Sequence, residues 1–396
     1  MESALGDIKI LDVTGIGAAP LAAMMLGDMG AEVIRIDTPP KSATKGAGHG
    51  IISQTDFELL AFNRNKMSLA LDLKSDHGRR IFLELTKTAD VIVESFRPGA
   101  MQRLGLGYDV VSELNPGIIY CSISAYGQNG PYHKFPAHDA NAAAMGGLLG
   151  LIGEGNDTRP VIPQDVAADL AVAVFQSVIG ILLALRARDR TGRGQWVDIS
   201  MHDGVVFLLI GIREVSEYLH SGCVPQRGDT MLSGTRPYYS VYKTKDDKYI
   251  TVCPLEPHFW QNLCTTLHCE HLISAQFSPS PTQEKVSNEL SQIFMAKTRD
   301  EWFDILIEAN VPVGKVLDVD EVFSDPHVLH RDMLIEIDHP EHGKVKQIGF
   351  GIKLSDTAGR IRSLPPRLGQ HTDELLSTIG YTTSHIAKLR EDGVIY

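Results

Sequence analysis

The feature that most limits how this chain can fold is an alternation of short apolar strands with amphipathic helices through its N-terminal half. Ile8–Val13 (IKILDV) has the length and apolarity of a buried strand, and Gly15-Ile16-Gly17-Ala18-Ala19-Pro20 then turns the chain. Leu21–Gly30 (LAAMMLGDMG) carries a helical apolar period stopped by Gly30, and Glu32–Asp37 (EVIRID) reads as a second strand. The unit recurs. Met67–Leu73 (MSLALDL), Asp90–Glu94 (DVIVE) and Gly117–Ser124 (GIIYCSIS) are strand-like, with helical patterns over 76–88 and 108–114 between them. Strands that return in the same direction need crossover helices, so the expected class is α/β, a mainly parallel sheet wrapped by helices.

Beyond Ala137 the texture changes. Residues 137–153 and 165–188 are rich in small residues and leucine, the composition of closely packed helices, and TGRGQWVDIS (191–200) reads as a turn and a strand. PYYSVYKT (237–244) and KYITVCPL (248–255) straddle Asp246-Asp247 as a β-hairpin would, and 333–350 reads as two further strands. At 396 residues the chain has room for two or three domains. The expected division is a large domain begun by 1–205, a linker helix over 206–224, a small α+β domain over 225–330, and a return segment, 331–396, that completes the large domain.

Charge narrows the choice of partner. Lys plus Arg number 37 against 49 Asp plus Glu, a net charge of −12, so neither nucleic acid nor an anionic membrane is an expected partner. Apolar runs such as 142–152 fall short of the ~20 residues of a bilayer span, and the N-terminus enters a strand without the basic start of a signal peptide. The five cysteines are widely spaced with no CxxC, which suggests neither a disulfide framework nor a metal site. A cytoplasmic setting is the expectation. The first turn partly satisfies a dinucleotide-binding fingerprint, with Asp37 ending the next strand, but Pro20 stands where a small residue must let the helix approach the strand. A plain βα turn is the simpler reading.

Several phrases in order give a sharper signal: LGDMGAEVIRID (26–37), FNRNKMSLALDLKS (62–75), ESFRPGAMQRLGLGY (94–108), YGQNGPY (126–132), RTGRGQWVDISMHDG (190–204) and LGQHTDELL (368–376). Together they resemble the class III coenzyme A transferase superfamily (CaiB/BaiF type), which also contains α-methylacyl-CoA racemase. AHDANAAAMGG (137–147), AADLA (167–171) and PYYSVYKT…LEPHFW (237–260) resemble the racemase branch. The resemblance implies a Rossmann-like large domain, a smaller domain, two chains interlocked as a homodimer, and an acyl-CoA substrate with no cofactor beyond its own coenzyme A moiety.

Racemising a 2-substituted acyl thioester requires two acid/base groups flanking the carbon beside the carbonyl. The resemblance implies that His138 and Asp169 form this pair and that Glu256 orients His138, while Asp139 is a second candidate for orienting or capping. Backbone N–H groups at the start of the helix over 139–144 are candidate donors to the enolate oxygen. Asp169 also stands out on its own, because an unpaired carboxylate within VAADLAVAVF carries a desolvation cost. For coenzyme A, the matching positions are Arg97, Arg103 and Lys74 for phosphates and Phe96 and Leu73 as walls for the adenine. Where several racemases carry a basic residue after RID, this chain has Thr38, which leaves Arg35 as the substitute at that edge. Met145, Tyr238, Tyr239 and Trp260 are candidates to line an acyl pocket. A second reading keeps Asp169 but makes it the nucleophile of a CoA transferase, carrying the acyl group as a mixed anhydride. A third, a noncatalytic CoA-binding subunit, is opposed by the presence of both Asp169 and His138.

Overall fold

The apolar strands and the helices between them close into the parallel sheet that their alternation demands. The computed structural model describes residues 3–15, 17, 19–40 and 61–396. They divide into two units, one of residues up to Gly146 with Pro163–Phe207 and His330–Tyr396, the other of Gly147–Ile162 and Leu208–Leu329.

In the first unit β1 (Lys9–Val13), β2 (Glu32–Asp37), β3 (Lys66–Ala70), β4 (Val91–Glu94), β5 (Ile119–Ser124) and β6 (Trp196–Ser200) form one six-stranded sheet in the order β3-β2-β1-β4-β5-β6. Every pairing is parallel. Because side chains alternate along a strand, the sheet feeds two cores. Leu11, Val13, Ile34, Leu69, Ile92 and Tyr120 pack with helix α2 (Asp76–Thr86) and with Leu376 and Leu389 of the C-terminal segment. Ile10, Val33, Val91, Val93, Cys121 and Ile123 face α1 (Ala19–Asp28) and the long helix that ends at Thr191. Beneath the first turn, the fully buried Lys66 donates to Asp12 Oδ2 and to the Pro20 carbonyl, each at 2.8 Å, while Asp12 Oδ1 accepts the Thr14 N–H at 3.0 Å.

The long helix corrects one expectation. Val166–Thr191 runs for 26 residues and is long and apolar enough, by length and composition, to cross a bilayer. Asp169 near its start kept this from reading as one apolar run. Its inner side packs against β5, β6 and α1, as a core helix does.

The second unit holds an antiparallel sheet of four strands, β7 (Thr235–Arg236), β8 (Tyr239–Lys243), β9 (Tyr249–Val252) and β10 (Val313–Lys315), over a core built on Trp260, Leu290, Phe294 and Trp302. Segment 147–162, read with the large domain, belongs here because Arg227 N–H donates to Asn156 Oδ1 at 3.0 Å and Gly228 N–H to the Leu151 carbonyl at 3.4 Å. Helix Arg213–Ser221, read as part of a linker, joins it too, with Glu214 Oε1 accepting the Met231 N–H at 2.8 Å. A two-stranded hairpin, β11 (Leu334–His339) and β12 (Gly343–Ile348), lies in the first unit.

Candidate functional site

In a parallel sheet of this order the strand sequence reverses between β1 and β4, and ligands bind outside the carboxyl ends of the strands at such a point. The loops that leave β3, β4 and β5 carry most of the candidate residues.

After β5, the turn at 126–132 is fastened by the Gln128 N–H donating to Asp198 Oδ2 at 3.1 Å. The chain then reaches His138, the exposed N-cap of the seven-residue helix α3 (Asp139–Met145), whose backbone N–H donates to Asn141 Oδ1 at 3.1 Å. Asp139 turns the other way and is buried. Its Oδ1 accepts the N–H groups of Ala168 at 2.7 Å and Asp169 at 2.8 Å, while its Oδ2 is buried without a hydrogen-bond partner among the described residues. Asp139 therefore caps, from another element, the start of a π-helical stretch over Val166–Val174 that runs on into α4 (Phe175–Thr191). The wide turn is visible in the Leu170 N–H reaching the Asp165 carbonyl at 3.2 Å, and such turns are rare and recur at functional sites.

Asp169 sits in that stretch, half-buried. Burial pushes its carboxyl up to about 6, with the negative charges of Asp139 and Asp165 acting in the same direction and His138 pulling it back down. The structure thus brings His138, Asp139 and Asp169 into one electrostatic neighbourhood. Helix α5 (Met201–Leu208) closes tightly against this region, because a Cβ at Gly204 would stand 2.2 Å from Val172 Cγ1.

The coenzyme A candidates lie on the preceding loops of the same unit. Phe96, Arg97 and Arg103 are exposed, the first 39% so, on the segment that follows β4. Gly99 there has φ of 82°, and a Cβ on it would sit 3.1 Å from Arg103 Nη1, so the left-handed turn and the guanidinium share one spot. Lys74 is exposed after β3, and Leu73 packs against the apolar cluster that contains Met101 and Leu106. Both loops rest on a common base.

Other expectations change. Arg35 is buried and ion-paired with Asp37 within β2, so it does not stand in for the basic residue missing at Thr38. Tyr238 and Trp260 are core residues of the second unit rather than pocket walls. Glu256 lies in the second unit, exposed at the N-cap of helix Pro257–Thr266. Sequence reasoning missed Glu94, which is 4% exposed at the end of β4 and accepts the Phe96 N–H at 2.8 Å. Its only signal was a carboxylate closing an otherwise apolar strand. Among the described residues no group of His, Cys, Asp and Glu is placed to hold a metal ion.

Compared with known proteins, the chain matches the family described as CoA-transferase family III over residues 5–372. It is 37% identical to an acyl-CoA transferase of Fusarium pseudograminearum, over 100% of this chain and 89% of that one. It is 30% identical to the alpha-methylacyl-CoA racemase of Homo sapiens, over 99% of this chain and 97% of that one. Among solved structures it resembles a CAIB/BAIF family protein from Brucella suis, with a TM-score of 0.80 and 28% identity over 96% of this chain and 100% of that one.

Proposed function

The chain belongs to CoA-transferase family III, and on that footing we propose that it is an acyl-CoA racemase acting on a 2-substituted acyl thioester. The observation that carries this reading is the pairing of a half-buried carboxylate, pushed up to about 6, with an imidazole close enough for its charge to act on it. A base and an acid of different chemical type can hold opposite protonation states at one pH, which a one-base site cannot.

In one direction Asp169 takes the proton from the carbon beside the carbonyl. The C–H electron pair moves onto the thioester oxygen as an enolate, and His138 then returns a proton to the opposite face. The reverse direction exchanges the two roles. Only C–H bonds break and form and no oxidation state changes, so the reaction asks for no redox group. Asp139 positions Asp169 through its backbone. Arg97, Arg103 and Lys74 pair with the phosphates of the coenzyme A moiety, and Phe96 and Leu73 flank its adenine. We also propose that two copies associate, for which the apolar outer face of α4 is the support: Phe175, Ile179, Leu182 and Leu183 are exposed at helical spacing on one side.

A CoA transferase remains the second reading, favoured by the 37% identity to a protein of that name. There the same Asp169 carboxylate attacks the thioester carbonyl, the C–S bond breaks, and CoA leaves as the thiolate. Incubating one enantiomer of a 2-methylacyl-CoA in deuterated water without a carboxylic acid acceptor decides between them. Deuterium entering the α-position with loss of optical purity is the expected result. Turnover only when an acceptor acid is added, with hydroxylamine trapping an acyl group at Asp169, overturns it.

A further inference from the structure

Glu94, at the carboxyl end of β4, shares one cross-strand row with Ser122 of β5 and Asp198 of β6. Side chains paired in register share a face of the sheet. Glu94 Oε2 accepts the Phe96 N–H at 2.8 Å, and the Ser122 hydroxyl, in register on the neighbouring strand, stands beside the same carboxylate. That hydroxyl in turn accepts the Trp196 Nε1–H at 3.0 Å. The Glu94 carboxylate thus holds the backbone at the point where the chain leaves the sheet. One residue on is Arg97, and Phe96 itself projects outward.

We propose that Glu94 is a positioning residue for ligand binding: by gripping the Phe96 amide it sets the pose of Phe96 and Arg97 toward the nucleoside and phosphates of a coenzyme A thioester. This inference rests on the reading of 96–103 as the coenzyme A loop.

The grip depends on charge, because an ionised carboxylate accepts hydrogen bonds more strongly than a neutral carboxyl. Burial pushes Glu94 up to about 7, Asp198 on β6 adds to the rise, and the neighbouring Ser122 hydroxyl and the Phe96 N–H oppose it. The other titratable neighbours on β5 do not ionise near neutrality, since burial raises the Tyr120 hydroxyl and pushes the Cys121 thiol up to about 12. On β1 the residue in register is the apolar Val13. Asp198 is also raised by burial, and it holds the Gln128 N–H rather than this loop. Above neutrality Glu94 is ionised and the loop is held. As pH falls through about 7 the grip weakens.

The test is the dissociation constant of coenzyme A itself, measured calorimetrically at pH 8 and pH 6 for the wild type, Glu94→Gln, Glu94→Leu and Arg97→Ala. Because coenzyme A has a titrating phosphate of its own, the informative quantity is the difference between wild type and Glu94→Gln. The wild type should weaken by about tenfold more than Glu94→Gln between the two pH values, the equivalent of about one pKa unit. Glu94→Leu should bind weakly at both, and if it does not fold, the Glu94→Gln comparison decides alone. Equal affinities and equal pH slopes in the wild type and Glu94→Gln, with Arg97→Ala weakened, overturn the role of Glu94 and leave the coenzyme A loop standing. Unchanged affinity in Arg97→Ala overturns the loop reading and the inference with it.

Discussion

Asp169 is harder to ionise than a carboxylate in water because it is half-buried and close to the negative charges of Asp139 and Asp165. Replacing it with Asn removes the acid/base group and should lower kcat by at least ~100-fold. The same raised value makes a stability prediction. The group binds its proton more tightly folded than unfolded, so its stabilising contribution is complete below about 3.8 and is lost as pH rises through about 6. Asp169→Asn should therefore melt above the wild type at pH 8, with the gap closing below pH 4, as followed by calorimetry. A variant that melts below the wild type at pH 8 would show that the carboxylate is held by favourable contacts instead. Asp169 was legible in the sequence because a charge inside an apolar helix has few structural explanations. Arg35 misled, because a lone basic residue near a ligand edge says nothing of the Asp37 two positions away that pairs with it inside the sheet.

Between residue and molecule stands the joint of helix α3 and the π-helical stretch. A single carboxylate oxygen of Asp139 takes two N–H groups from the other element, so it fixes the backbone from which Asp169 projects. Asp139→Ala leaves those donors without their acceptor, an effect of about 1–3 kcal/mol on local order. The expected outcome is a kcat reduced by about tenfold or more with the chain still folded, the loss being larger than that in Asp139→Asn, whose amide oxygen still accepts. Equal kcat in Asp139→Ala and the wild type would remove Asp139 from the machinery. The π-turn itself was not legible, since VAADLAVAV has the same apolar period whether its turns are wide or ordinary. Strands β1 to β6 were, because each carries apolar residues between stretches of turn chemistry. Thr235–Arg236 and Val313–Lys315 are too short to show a period of two and were missed.

At the scale of the whole molecule, the uncovered apolar side of α4 predicts self-association. Light scattering should give about twice the 43.4 kDa chain mass, and Leu183→Glu should shift the protein toward monomer. A wild type that stays at the single-chain mass at micromolar concentration would refute the proposed pair of copies. The separate units were partly visible in composition, but Gly147–Ile162 shares the small-residue texture of the helix before it, and only its bonds to Arg227 and Gly228 show where it belongs.

Leu375, Leu376, Ile386 and Leu389 fill the same core as Leu11 and Ile34, although nearly the whole chain lies between them. During synthesis the first half leaves the ribosome with that core covered by α2 but incomplete, and it stays so until the segment carrying these residues is made. A truncation that removes even these last two helices should leave a sticky, chaperone-bound product rather than a smaller working protein.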